Sequence, residues 1–130
     1  MSVITSRFVF NLTEIGLDVA KDFVARIPPG LTTRAQLFGV LRRELRLPNY
    51  FGENWDALSD CLRDLSWIRS HRVILVHEDL PRLDCESRAE YVDILQEAIH
   101  DWKPGENHEL IVVFPQECLD TIASVLEKSE

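Results

Sequence analysis

Arg72-Val73-Ile74-Leu75-Val76-His77 is the stretch that decides the fold. Its apolar residues run on without polar alternation, so as a strand it has to be covered on both faces. Leu110-Ile111-Val112-Val113 repeats the pattern within residues 109–114, and Phe23-Val24-Ala25-Arg26-Ile27, closed by the turn Pro28-Pro29-Gly30, supplies a third strand. Between the last two strands, Val92, Leu95, Ile99 and Trp102 recur at three- and four-residue steps and predict a helix over 87–102. After the first strand, a helix capped by Thr32 or Thr33 carries Leu37, Val40, Leu41 and Leu45 and ends at Pro48. Pro48-Asn49-Tyr50-Phe51-Gly52 is a turn rich in aromatics, and Asn54 caps a short helix over 55–65 with Trp55, Leu58, Leu62 and Leu65 on its inner face. Strands separated by helices pair in parallel through right-handed crossovers. The expected fold is therefore α/β, in the order β-α-α-β-α-β, with three parallel strands flanked by helices. Two additions are expected at the ends. Residues 7–11, with Phe8-Val9-Phe10, are a candidate extra edge strand, followed by a loop or poor helix over 12–21. Residues 115–127 form an added C-terminal helix with Leu119, Ile122 and Leu126 facing inwards.

At 130 residues and 45% hydrophobic content the chain fits one domain, 1–130, able to build its core without metals or disulfides. No apolar run is long enough for a signal peptide or a membrane span. Cys61, Cys85 and Cys118 are an odd number without metal or redox spacing, as expected of free thiols in a reducing, cytoplasmic setting. The net charge of −8 opposes nucleic acid and anionic membranes as partners. That charge is unevenly placed. Residues 1–50 hold four acids (Glu14, Asp18, Asp22, Glu44) against seven bases, whereas residues 51–130 hold eighteen acids against seven bases.

In the short helix Asp56, Asp60 and Asp64 fall four apart and line one face, and Asp93, Glu97 and Asp101 do the same in the later helix. Like charges at that spacing cost roughly 0.2–0.5 kcal/mol per pair. Two unpaired rows opposite the apolar stripes therefore argue for an outward field that captures a cationic protein, against the blander reading of a solvated face. Catalysis finds little support. Asp56 and Asp60 belong on a hydrated surface without the burial that acid–base chemistry needs, so a carboxylate-based hydrolase is the weakest reading. Cys61 lies near the apolar side of its helix as a core thiol. His71, His77, His100 and His108 have no metal-ligand spacing, and the glycines form no phosphate-cradling motif, so neither metal nor cofactor is expected.

The run Leu47-Pro48-Asn49-Tyr50-Phe51-Gly52-Glu53-Asn54-Trp55-Asp56-Ala57-Leu58-Ser59-Asp60-Cys61-Leu62 resembles the signature of the barstar family, intracellular inhibitors of barnase-type secreted ribonucleases. The resemblance covers about residues 22–114 and implies a three-stranded parallel sheet flanked by helices. It also implies an immunity role, in which the short helix and its preceding loop fill a nuclease active site one to one. By position, Tyr50 resembles the aromatic that packs on the enzyme, Asp56 and Asp60 the acids that meet its catalytic centre, and Glu97 and Asp101 acidic contacts from the later helix. Asn54 and Asp64 belong to the same face. Two departures redirect specificity. Ser59 stands where the family has tryptophan, and Arg63 and Asp64 replace small residues. Arg63 is expected to repel a basic active site unless it pairs with Asp56, Asp60 or Asp64 on its own helix, so barnase itself should be bound weakly. The other reading on the same fold is a docking module that inhibits nothing.

Overall fold

The computed structural model describes residues 8–128. Its elements are β1 (Phe23–Ile27), α1 (Arg34–Leu45), α2 (Trp55–Asp64), β2 (Arg72–His77), α3 (Cys85–Asp101), β3 (Glu109–Val113) and α4 (Leu119–Lys128). The three strands are parallel in the order β1-β2-β3, with Leu75 opposite Ala25 on one side and Val112 on the other. The fold class read from the sequence is the one observed.

β2, the central strand, is covered twice, as its unbroken apolar run requires. Ala25, Ile27, Val73, Leu75, Leu110 and Val112 meet the buried faces of the helices. Ile74, Val76 and Val113 point the other way and are covered by Val9, Leu12, Ile15 and Leu17 of the N-terminal strap. Arg72 fastens that strap: its guanidinium donates to the carbonyls of Ile15 and Gly16 at 2.9 and 3.1 Å and pairs with Asp22 at 2.6 Å. The contact holds the Asp22 carboxyl down at about 2.

Local chemistry sets the helix ends. Thr33, not Thr32, caps α1 in a reciprocal capping box with Gln36. Asn54 caps α2 by accepting the Ala57 N–H at 2.8 Å, and Asp84 caps α3 two residues earlier than the apolar spacing indicates. α1 and α2 close on left-handed Arg46 and Leu65 instead of the usual glycine. Trp67 and Trp102 donate indole N–H bonds to the carbonyls of Leu45 and Leu62, both at 2.9 Å, so tryptophans satisfy the exposed ends of α1 and α2.

The expected edge strand shrinks to one parallel bridge, Val9 to Val113. Phe8 and Phe10 pack against Phe114 while Val9 turns to the opposite face, so the alternation is strand-like. Asn11 then caps a 3-10 turn over Leu12–Ile15 and ends the pairing, and Arg7 lies outside the described residues. At the other end Ile122 and Leu126 face inwards, but Leu119 is 44% exposed. A 3-10 turn over Gln116–Cys118 precedes α4 and changes its phase, putting Cys118 in the inward position assigned to Leu119.

Candidate functional site

The loop before α2 is built to present Tyr50. Phe51 is buried beneath it, and Arg42 lies over the Phe51 ring while donating to the Phe51 carbonyl and to Glu53, both at 3.0 Å. Glu53 sits at φ 54, a left-handed conformation that a non-glycine residue adopts only when its surroundings hold it there. Tyr50 is 63% exposed, yet its hydroxyl donates to Asp64 at 2.7 Å. That bond pushes the phenol up to about 12 and holds the Asp64 carboxyl below its ordinary range. An exposed aromatic ring is thereby fixed at both ends.

On α2 the inner face is Leu58, Cys61 and Leu62, all buried, with Trp55 half-buried against Phe38 and Tyr91. Asp56 and Asp60 are exposed, and Ser59 is partly exposed beside them. Neither carboxylate makes a hydrogen bond or ion pair with any described residue, whereas that of Asp64 is engaged by Tyr50. The amide of Asn54 is used in capping and in a bond to the Gly52 carbonyl.

The second acidic row was read from the sequence as unpaired, and here the structure corrects it. α2 packs along α3, and Arg63 crosses the gap to bind Glu97 at 3.4 Å and Asp101 at 2.9 Å. It pairs with none of the aspartates of its own helix, because its side chain leaves α2 on the α3 side. Asp93 is half-buried and does not stand out as Asp56 does. The acidic face of α2 is open; that of α3 is partly neutralised from within.

Beneath both helices lies a polar network that spacing did not reveal. His77 on β2 is buried; its Nε2 meets the Tyr91 hydroxyl at 2.6 Å and its Nδ1 the Val113 carbonyl at 3.1 Å. Since a carbonyl only accepts, Nδ1 carries the proton and Nε2 accepts from Tyr91. Burial drives the imidazole down to about 3 and the tyrosine up, so the pair is neutral. The Cys61 and Cys118 thiols are raised by burial too, and Cys85 is exposed. No group of three His, Cys, Asp or Glu among the described residues could hold a metal. Three cavities, of about 360, 310 and 300 Å³, are lined by other residues than Asp56 and Asp60. An exposed face with two unpaired carboxylates suits docking on a cationic protein surface.

No described helix is long and apolar enough to cross a membrane. A protein-family model described as Barstar (barnase inhibitor) matches residues 24–116. The match takes in α1 to β3 and the whole α2 face, and leaves the N-terminal strap and α4 outside. No curated protein matches the chain.

Proposed function

The chain belongs to the barstar family, whose members are inhibitors and not enzymes, and from that premise we propose that it occludes the cationic active site of a ribonuclease or another toxin enzyme, one to one. The observation that carries this is the pair Asp56 and Asp60, one turn apart, exposed and unpartnered, beside a Tyr50 ring already fixed by Asp64. Unpaired acids on a surface keep their full attraction for a cationic centre, and a pre-fixed aromatic loses little freedom when it is buried. Tyr50, Asp56, Ser59 and Asp60 form the centre of the proposed contact, and Asn54, Arg63, Asp64, Glu97 and Asp101 its margin. The partner is a protein with a basic cleft.

Co-purification from the native host, with the captured protein then assayed for activity, tests the proposal. Wild type should abolish that activity at one equivalent, Asp60→Asn should not, and association should slow between about 0.05 and 0.5 M salt as charges are screened. A captured partner that keeps full activity at saturation would replace inhibition by plain docking.

A further inference from the structure

Arg63 occupies the seam between the two acidic helices. Its Nε binds Asp101 and its Nη2 binds Glu97, so the guanidinium plane is held by two carboxylates on α3. Nη1 makes no bond to a described residue, and the side chain is 44% exposed. A guanidinium paired at two nitrogens is drawn towards α3, where a free arginine would sample every direction. Two consequences follow for anything that docks on α2. Glu97 and Asp101 already have a cation between them and keep only part of their attraction for a basic partner. A fixed positive group also stands one turn beyond Asp60.

We propose that Arg63 sets partner specificity by withdrawing Glu97 and Asp101 from the docking face. The fitting partner is a protein whose cationic groups are confined to the patch opposite Asp56 and Asp60. Opposite Nη1 of Arg63 it presents a hydrogen-bond acceptor, a carboxylate or a main-chain carbonyl. A partner with cations spread across both helices meets the arginine and is rejected, which is discrimination by repulsion as well as by attraction. This inference rests on the docking role proposed above.

The test uses the full chain and a hexa-arginine peptide as a cation without shape, followed through the side-chain carboxylate NMR signals. In wild type the Asp56 and Asp60 signals should move on titration, while those of Glu97 and Asp101 move less than half as far. Arg63→Met should release the α3 acids: their signals then move as far as those of α2, and affinity for the peptide rises at least threefold. Arg63→Lys, which cannot grip both carboxylates, should fall between. Barnase, titrated as a nuclease, should be inhibited at least tenfold better by Arg63→Met than by wild type. Thermal melts of all variants establish that they fold.

Equal movement of all four signals in wild type, or an Arg63→Met protein no tighter than wild type for either probe, overturns the role of Arg63 and leaves the docking face intact. A peptide that moves none of the four removes the acidic docking face itself, and the inference with it.

Discussion

α2 and α3 carry the same motif, an acid at every fourth residue, and meet opposite fates. On α2, Asp56 and Asp60 stand unpartnered at the surface; on α3, Glu97 and Asp101 share Arg63, and the inner side of the helix holds Tyr91 against His77. Spacing reports that residues share a helix face, but what that face meets is decided by the neighbouring element. The difference divides the labour: changes on the exposed side of the α2–α3 pair should alter binding and spare stability, and changes in the buried Tyr91–His77 contact under α3 should do the reverse.

The largest stability effect belongs to His77, under α3. Its folded-state pKa is about 3 against an ordinary 6.5, because burial disfavours the charge. As pH falls below about 6.5 the unfolded chain takes up a proton that the folded chain refuses. Stability is therefore complete above that range and declines on the order of 1.4 kcal/mol per pH unit down to about 3. Asp22, also depressed, adds its loss only below its ordinary 3.8, as pH falls towards 2. Urea titrations between about pH 7 and pH 4 isolate the histidine. His77→Gln, which cannot titrate, should flatten that slope even if it lowers stability overall. Equal slopes in both proteins would mean that His77 is not the group responsible.

Next in size is Tyr91→Phe. It leaves Nε2 of His77 buried without its donor, at a cost of about 1–3 kcal/mol at neutral pH. Since Tyr91 is wholly inside, partner affinity should be unchanged. A loss of affinity larger than the loss of stability would break the proposed division between the helices.

How much of this could be read in advance follows from which contacts are local. The unbroken runs at Val73-Ile74-Leu75-Val76 and Leu110-Ile111-Val112-Val113 were enough for a parallel sheet covered on both faces. Asn54 marked one helix start and the pair Thr32-Thr33 the other to within a residue, because capping acts within three residues. The family signature from Leu47 to Leu62 carried the candidate face. The Arg63 bridge spans 34 residues of sequence, the Tyr50–Asp64 bond 14 and the His77–Val113 bond 36. No periodicity encodes such pairs, since packing of whole elements creates them. Leu119 was misplaced for a smaller reason: a 3-10 turn advances the chain by a different angle per residue than the α-helix assumed for residues 115–127.

Arg63→Met should have a smaller effect on stability than either change in the interior. Its two ion pairs join side chains that are about half exposed, and such pairs contribute up to about 1 kcal/mol each and often nothing measurable. A melting temperature within a few degrees of wild type is expected, about what 1 kcal/mol produces in a chain of this size. A collapse of stability would make Arg63 a structural strut and remove the reason to read it as a specificity device.

The smallest effect has the opposite sign. Asp60 sits four residues after Asp56 and four before Asp64, so two like-charge pairs meet at it, each costing roughly 0.2–0.5 kcal/mol at low salt. It has no compensating partner among the described residues, whereas Asp64 has Tyr50. Asp60→Asn should therefore stabilise the free protein by a few tenths of a kcal/mol, up to about 1 kcal/mol if both repulsions act in full. Asp56→Asn should do less, because Asp56 lies in the first turn of α2, where the positive pole of the helix favours a negative charge and offsets its single repulsion. The gain should fade in about 1 M salt, where screening shortens the reach of charges to roughly 3 Å. Urea midpoints for the two variants at low and high salt supply the measurement. A destabilised Asp60→Asn would show that the carboxylate is satisfied within its own fold and is not held open for a partner. A stabilised one that no longer binds would show a charge kept at the expense of its own helix.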